Sequence, residues 1–289
     1  MTRKFLQWSL PLLCISITLS FGRDFTPVQR LILAIVPLIL SLKLSILLGL
    51  SSELLKNYSK LGLGLYLFCW PGMNPSPFQM RSSDRIFSKH RLLIGMSFFS
   101  IGVGLLILLS FFQLSLSPSV VGWGGILAML LIVHFGFSEQ LTESFHFFGW
   151  RVKPLFIDPL FSLSLREFWG KRWNLAFVEM NQLLFLPLSR KIVTERPAIF
   201  SVFIISALLH EFAISFPAGA GWGGPFSYFA LHGMLVLVEN PLAISSKSSF
   251  VRRIWTLGWI FLPLPVLFHS QFRNQLILPL INFLHEALC

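Results

Sequence analysis

The feature that most constrains this chain is a series of apolar runs, each long enough to cross a lipid bilayer as a helix. A helix needs about 20 apolar residues to span roughly 30 Å of hydrocarbon. The runs lie near residues 5–22, 29–50, 92–112, 119–137, 198–216, 226–239 and 254–270. Only 12% of the residues are charged, whereas a soluble domain carries about 25%. The sequence therefore predicts an all-α integral membrane protein and excludes a single soluble globule.

Two shorter apolar runs set the predicted number of spans at seven to nine. The run 61–70 is half a span and stops at Pro71 and Gly72, so it is interpreted as a re-entrant or tilted piece. The run 276–288 is either a last span or a helix at the membrane surface. The run after Arg3 and Lys4 has the outline of a signal peptide but no small-x-small cleavage site, which favours a retained first helix.

The net charge of +11 is interpreted as a topology signal, because the basic residues lie in short loops between the apolar runs. The loops 113–118 and 217–225 contain no Lys or Arg, whereas 81–91, 151–196 and 245–253 are rich in both. Lys and Arg concentrate in cytoplasmic loops, so the basic set is predicted to face the cytoplasm. Membrane lipid is then the expected surroundings of the chain, and nucleic acid is not an expected partner.

One domain, 1–289, is predicted, because no repeat or low-complexity tract divides the chain. One long connection interrupts the short loops: residues 138–197 are amphipathic and are expected to form helices at the cytoplasmic face. The seven histidines include no pair spaced by two to four residues, which argues against a di-iron site. No metal site is predicted, and the three cysteines lie too far apart in sequence to indicate one.

A first candidate for chemistry lies inside the long connection. Ser164 and Glu167 have the spacing of a capping box, so a helix is expected to begin there. At 3.6 residues per turn one stripe of that helix would hold Arg166, Gly170 and Asn174, and the adjacent stripe Trp169 and Trp173. Gly170 would leave a gap through which a ligand approaches the backbone. Two interpretations stay open: a ligand-binding helix, or an interfacial helix anchored by Trp and basic residues.

A second candidate is the pair His210 and Glu211, within the otherwise apolar run 198–216. His210 is expected near the bilayer midplane, where an ionisable residue is costly and therefore a functional candidate. Ser206 lies one turn earlier on the same helix face. Glu211 points about 100° away from its neighbour, so it is not expected to bond His210 directly. The alternative is a buried histidine that another helix satisfies.

Other polar residues in the spans give weaker signals. Lys43 is expected to extend its amine towards the membrane surface. His232 and Glu239 are seven positions apart and share one helix face, so they are candidates for lining one cavity, although Glu239 near the cytoplasmic end is equally explained by solvation. His134 is placed close to a membrane interface.

Together, the two candidate segments resemble the membrane-bound O-acyltransferase superfamily and, within it, the wax synthase-like branch. The resemblance rests on Phe168-Trp169-Gly170-Lys171-Arg172-Trp173-Asn174 and on Ser206-Ala207-Leu208-Leu209-His210-Glu211. Trp70-Pro71-Gly72-Met73, followed by Pro77-Phe78, is also similar to a segment of that branch. The resemblance covers roughly residues 65–240 and implies a multi-pass helical bundle of the type found in this superfamily.

The resemblance implies an O-acyltransferase that moves an acyl group from acyl-coenzyme A to the hydroxyl of a lipophilic acceptor, such as a long-chain alcohol or a sterol. His210 would be the general base and Asn174 the second catalytic residue. The implied substrate-binding residues are Trp173, Arg172, Lys171, Arg166, Gly170 and Glu211, with the basic ones near the coenzyme A phosphates. Acyl-coenzyme A would be a co-substrate, and no tightly bound cofactor is expected.

A non-enzymatic function remains as an alternative. A transporter or lipid-binding membrane protein could use the intramembrane His and Glu as a proton relay. For either function the expected location is a membrane, the cell membrane in a bacterium or the endoplasmic reticulum in a eukaryote. The sequence gives no prediction of oligomeric state.

Overall fold

The computed structural model describes residues 2–84, 86–239 and 247–288, with only the backbone at 2–4. Of the residues in these ranges 79% are helical, and none of them lies in a strand. The predicted all-α class is therefore confirmed. Cys14 and Cys69 are free thiols, while Cys289 and the first residues of the predicted basic loop 245–253 lie outside the described part of the chain.

The helices follow one another with short connections. In chain order they are α1 (Thr2–Phe21), α2 (Pro27–Gly49), α3 (Ser52–Lys56), α4 (Lys60–Cys69), α5 (Lys89–Phe112), α6 (Pro118–Phe147), α7 (165–172), α8 (175–192), α9 (Glu195–Ala218), α10 (Gly224–Val238), α11 (Ser249–Leu267) and α12 (270–288). Several contain a stretch with the wider turns of a π-helix, in which the backbone N–H bonds to the carbonyl five residues earlier.

Six of these helices are long and apolar enough to cross a membrane, namely α1 with the turn that follows it, α2, α5, α6, α9 and α11. They account for six of the seven long predicted runs. The seventh, 226–239, forms α10, whose 15 residues extend only about 22 Å. α4 has ten residues and extends about 15 Å, the half span that was predicted.

Hydroxyl side chains cap the long helices at the positions that their sequence indicates. Thr26 and Gln29 form a capping box at the start of α2: Thr26 Oγ1 accepts from Gln29 N, and Gln29 Oε1 accepts from Thr26 N at 3.0 Å. Ser88 caps α5 and Ser117 caps α6, the latter followed by Pro118 in the first turn. Each such cap stabilises its helix by about 1 kcal/mol, which fixes where the spans begin.

The helices pack around three apolar clusters, and α9 contributes to all of them. The first lies between α2, α4 and α8, the second between α5, α6, α10 and α12, and the third between α7, α10 and α11. α9 supplies Phe212 to the first, Ala207 to the second and Phe203 to the third. The helix that carries His210 therefore lies where the three clusters meet, with α10 packed along it.

The long connection 138–197 differs from its prediction at one end. Its first ten residues, Ser138–Phe147, continue α6 without a break instead of forming a separate amphipathic helix. Thr142 and Glu143 within them are buried, so this end belongs to the core. The remainder folds into α7 and α8, with an irregular stretch before α7.

The prediction for Lys43 was wrong. The side chain is 1% exposed and does not extend to a surface. Its Nζ donates to the carbonyls of Tyr66, at 2.5 Å, and of Trp70, both at the end of α4. A helix end leaves carbonyls without intrahelical partners, and the ammonium group supplies donors for them. Lys43 thus fixes the end of the half span against α2.

Candidate active site

α7 begins at the predicted residue. Ser164 Oγ accepts from Glu167 N at 2.9 Å, as a capping box requires. The reciprocal bond is shifted by one residue, because Glu167 Oε2 accepts from Leu163 N at 2.8 Å rather than from Ser164 N. The predicted helix start is confirmed, and it places the Trp-Gly-x-Arg-Trp-Asn segment directly after one helical turn.

The predicted stripe of Arg166, Gly170 and Asn174 does not form. Residues Phe168–Arg172 adopt π-helical turns, and Trp173 N donates to Phe168 O at 2.9 Å. The helix ends there, and Asn174 adopts a left-handed conformation with φ of 46°. Asn is one of the few residues that tolerate this conformation. Asn174 then caps α8, with its Oδ1 accepting from Phe177 N at 3.3 Å.

The same wide turns separate Trp169 from Trp173, which were predicted to share a stripe. Trp173 stacks between Phe168, at 5.4 Å between ring centroids, and His134, at 5.7 Å. Trp169 instead contacts Phe229 at 5.5 Å and His232 at 5.3 Å, both on α10. The two indoles therefore line different parts of the site, and His134 lies on the Trp173 side.

Glu239 connects α10 to α7, and its interpretation as a solvated or cavity-lining residue was wrong. It is 4% exposed. Oε1 accepts from Leu165 N at 2.8 Å and Oε2 from Arg166 N at 3.3 Å. A carboxylate at a helix N-terminus satisfies free N–H groups and complements the helix dipole. The signal in the sequence was its position at the very end of the apolar run, but its partners, 73 and 74 residues earlier, were not predictable.

The basic residues of the motif divide into two groups. Arg172 is used within the protein: Nε donates to Glu167 Oε1 at 2.7 Å, and the guanidinium also reaches the carbonyls of Ile157 and Asp158. Burial would raise the pKa of Glu167, but the bonds from Leu163 N and Arg172 outweigh burial and hold that pKa below its ordinary value.

Arg166 and Lys171 form the second group, since both residues are exposed. Neither side chain makes a hydrogen bond or an ion pair to another described residue. Gly170 between them is also exposed, and a Cβ added there would meet nothing within 4 Å. The open space predicted at Gly170 is therefore present. These two side chains are free to meet an anion at the surface of the protein.

His210 lies at the end of the regular part of α9, immediately before the π-helical turns Glu211–Ser215. Its Nδ1 is 2.7 Å from Ser206 O and 3.4 Å from Ser206 Oγ. A carbonyl only accepts, so Nδ1 carries the proton and Nε2 keeps its lone pair. The predicted shared face of Ser206 and His210 is confirmed, and the bond holds the ring in the tautomer that a base requires.

Two aromatic side chains join His210 to the Trp-Gly-x-Arg-Trp-Asn segment. Phe229 lies on the imidazole at 4.0 Å between centroids and also contacts Trp169. Phe177, whose N–H is bonded by Asn174, lies 5.9 Å from the imidazole. The structure thus brings the two candidate segments together. Phe229 and Phe177 carry no chemical signal in the sequence, and only their contacts identify them. Convergence of Asn174 and His210 on one cavity stays a prediction.

Glu211 points away from His210, and this confirms the prediction made from its position in the helix. Oε1 accepts from Gly223 N at 2.7 Å and from Phe226 N at 2.9 Å, and the residue is 8% exposed. These N–H groups belong to the first turn of α10. The carboxylate assigned to substrate binding therefore holds the N-terminus of the helix that carries Phe229.

Comparisons with known proteins match the same part of the chain. Residues 152–231, which include both candidate segments, match the model of the "Membrane bound O-acyl transferase family". A probable long-chain-alcohol O-fatty-acyltransferase 3 of Arabidopsis thaliana is 29% identical over 147 residues, 40% of this chain and 41% of that protein. A long-chain-alcohol O-fatty-acyltransferase of Simmondsia chinensis is 26% identical over 166 residues, 48% of this chain and 47% of that protein. Each match spans less than half of the relative's length.

Proposed function

We propose that this chain is a member of the membrane bound O-acyl transferase family, of its wax synthase-like branch, and that it is an enzyme that esterifies a lipophilic alcohol. The donor is acyl-coenzyme A, and the acceptor is a long-chain alcohol. The observation that carries the proposal is His210, held by Ser206 O with Nε2 unprotonated and in contact through Phe229 with the indole of Trp169.

His210 acts as the general base in this reaction. Nε2 accepts the hydroxyl proton as the alcohol oxygen attacks the thioester carbonyl carbon. A C–O bond forms and the carbonyl oxygen takes up negative charge; when the carbonyl reforms, the C–S bond breaks. The proton on Nε2 then passes to the leaving sulfur, so the products are an ester and coenzyme A. The thioester is already activated, so no serine or cysteine nucleophile is required.

In this reaction Asn174 supplies the second catalytic group, an amide that donates to the thioester. Its Oδ1 is occupied by Phe177 N, which fixes the amide so that the Nδ2 N–H groups are left to donate. Donors placed where negative charge develops stabilise the transition state of acyl transfer. The left-handed backbone at Asn174 supports this role, because a strained conformation persists where the surroundings fix it.

Arg166 and Lys171 are the proposed contacts of the coenzyme A phosphates. Both are exposed and flank the open surface at Gly170, on the segment expected at the cytoplasmic side. Arg172 has a different role, since its guanidinium is already bonded to Glu167 and to two carbonyls. Arg172 holds the backbone of the Trp-Gly-x-Arg-Trp-Asn segment in place, and it contributes to binding of acyl-coenzyme A only through this effect.

The acceptor class follows from the relatives, whose names specify long-chain alcohols. A flexible alkyl chain suits a site with walls of Phe and Trp, because burial of each CH₂ is worth about 0.8 kcal/mol. A sterol is the second acceptor to test, since it presents one hydroxyl on an apolar body. The membrane that holds the protein is the cell membrane in a bacterium or the endoplasmic reticulum in a eukaryote.

The proton-relay alternative would use His210 and Glu211 as groups that carry protons. Oε1 of the Glu211 carboxylate is bonded to the backbone of α10, and no hydrogen bond joins the two side chains. This geometry favours the acyltransferase over the relay.

The test combines labelled palmitoyl-coenzyme A with hexadecanol or cholesterol and the purified protein in lipid nanodiscs. We expect hexadecyl palmitate from the wild type and none above background from His210→Ala. His90→Ala is the matched control, because His90 is exposed at the start of α5. If neither ester forms and the wild type instead carries protons across proteoliposomes, the acyltransferase proposal is wrong.

A further inference from the structure

The indole N–H of Trp169 is a buried donor without a partner. Its Nε1 makes no hydrogen bond to any described residue and is shielded from solvent by the surrounding side chains. Tryptophan offers only this one polar group, and it donates only. An unsatisfied buried donor costs about 1–3 kcal/mol, so each one requires an explanation.

The surroundings of Trp169 place this donor beside the proposed base. The indole contacts Phe229 at 5.5 Å between centroids, and the same Phe229 ring contacts the His210 imidazole at 4.0 Å. The imidazole and the indole therefore lie no farther apart than the sum of these two distances. Both rings therefore lie against the same Phe229 side chain, close enough for one substrate to meet the indole N–H and the imidazole.

The other indoles of the motif region do not combine these properties. Trp173 is stacked between Phe168 and His134, and its Nε1 is not one of the unpaired buried atoms. Trp255 has an unpaired buried Nε1 as well, but its ring contact is with Trp259 on α11. Of the two unpaired indole groups in the described ranges, Trp169 is the one in contact with Phe229.

We propose that Trp169 Nε1–H donates a hydrogen bond to the carbonyl oxygen of the thioester and stabilises the negative charge that develops on it. This inference rests on the proposed acyl transfer and adds a catalytic residue to it. Trp169 exchanges no proton. The hydroxyl proton passes to His210 and then to sulfur, while the C–O bond forms and the C–S bond breaks. With the Asn174 amide, the site then has two donors for one oxyanion.

The α10 contacts explain how the indole is held in place. His232 lies against Trp169 at 5.3 Å in an edge-to-face arrangement and is 0% exposed. Its Nδ1–H donates to Tyr228 O at 2.8 Å, which fixes the imidazole on its own helix. A donor that is fixed before the substrate arrives costs no reorganisation when charge develops, which is the basis of its effect on rate.

The experiment compares Trp169→Phe with Trp255→Phe in nanodiscs, using palmitoyl-coenzyme A and hexadecanol. Both variants remove one unpaired indole N–H from the same part of the protein. Loss of one oxyanion donor lowers kcat by about 10² to 10³. We expect this loss in Trp169→Phe with little change in KM, and less than a threefold change in Trp255→Phe. Replacing Trp169 by benzothienylalanine, which puts sulfur in place of N–H, should lower kcat equally while keeping the ring.

Two results would overturn the inference: equal kcat in Trp169→Phe and Trp255→Phe, or full activity of the benzothienylalanine protein, which would assign the indole a packing role only. The benzothienylalanine protein keeps the shape of the side chain, so it decides the question even if Trp169→Phe fails to fold. Failure of the proposed function is distinguishable, because then the wild type forms no ester. Ester formation that is lost in His210→Ala but kept in both position 169 variants rejects only the role of Trp169.

Discussion

Buried polar groups are treated differently in two regions of this molecule. Between α2, α4 and α8, the charged groups withdrawn from solvent have backbone partners: Lys43 donates to the end of α4, and the half-buried Glu179 accepts from Met73 N and Asn74 N. Between α7, α9 and α10, Trp169 Nε1 is left without a partner and His210 bonds only through Nδ1. Asn181 Oδ1 on α8 is also unpaired, so the contrast concerns the charged groups of the first region. We infer that these are satisfied within the protein, whereas the donor and the base of the second region are completed by a substrate.

Both regions contain π-helical turns, so irregular backbone alone does not distinguish them. In α4 the π-helical turns Leu65–Cys69 contain backbone carbonyls without a helical partner, and the Lys43 ammonium donates hydrogen bonds to them. At the site, π-helical turns occur in Leu130–Phe137, Phe168–Arg172 and Glu211–Ser215. The first of these contains His134, whose buried Nδ1 has no partner. π-helical turns are frequent at functional sites. The π-helical turns Asn181–Phe185 of α8 also hold an unpaired atom, Asn181 Oδ1, so the assignment to the site rests on the contacts that join Trp169 and His210 through Phe229.

The largest expected effect separates the two regions by activity. His210→Ala removes the general base, so kcat should fall by about 10² to 10⁴. The apparent Tm should stay close to that of the wild type, because no buried charge loses its partner. Parallel measurements of ester formation and of thermal unfolding in detergent test this. A large fall in Tm with normal turnover per folded molecule would place His210 with the structural residues.

The second prediction distinguishes side-chain chemistry from backbone strain at Asn174. Asn174→Ala and Asn174→Gly both remove the amide, and we expect kcat to fall about 10²-fold in each. Only Ala is strained at the φ of 46° found here, and it should lose about 1 kcal/mol more stability than Gly. Turnover and unfolding curves of both variants provide the measurement. Normal turnover in Asn174→Gly would show that the residue acts only as a helix cap.

Much of the fold could be predicted, because a lipid bilayer allows few kinds of backbone structure to cross it. Runs of about 20 apolar residues predicted the long helices, and the capping-box spacing of Ser164 and Glu167 predicted the start of α7. The prediction for Lys43 was wrong because burial of a cation in an apolar helix is costly unless the cation has partners. Its partners are carbonyls 23 and 27 residues later in the chain. Such compensation is a tertiary contact that no local pattern reports.

The site was predictable in its chemical groups but not in its geometry. His210 was a candidate because it is ionisable within an apolar run, and the face that it shares with Ser206 followed from helical spacing. Asn174 was placed on the wrong stripe, since a regular helix was assumed across residues that form π-helical turns and a left-handed residue. Phe229 and Phe177 were missed because they are two of 31 phenylalanines in the chain and nothing local sets them apart. The contacts that join the two segments are long-range, and the sequence contains no signal for them.

The third prediction concerns Lys43, and it tests whether the first region is purely structural. Lys43→Met removes the donors of the carbonyls that end α4. Unsatisfied buried acceptors cost about 1–3 kcal/mol each, so the apparent Tm should fall by several degrees. Lys56→Met is the control, since its ion pair with Glu53 is exposed and contributes little. Turnover per folded molecule should be retained in both variants; a selective loss of turnover in Lys43→Met would extend the functional region to α2.

The smallest expected effect is that of Glu211→Gln, and it decides which region Glu211 resembles. Gln keeps one carbonyl oxygen to accept from Gly223 N and Phe226 N, as Glu211 Oε1 does, and its amide replaces an oxygen that has no partner. Turnover should therefore stay within about threefold of the wild type, whereas Glu211→Ala leaves two N–H groups unpaired and should cost about 2 kcal/mol of stability. A residue that carries protons cannot be replaced by Gln, which does not ionise. Initial rates of ester formation in the two variants, together with their unfolding temperatures, distinguish these roles. Abolished turnover with an unchanged Tm in Glu211→Gln would show that the carboxylate takes part in the chemistry. Normal turnover in Glu211→Gln and a lowered Tm in Glu211→Ala would instead show that the carboxylate holds α10, and with it Phe229, against His210.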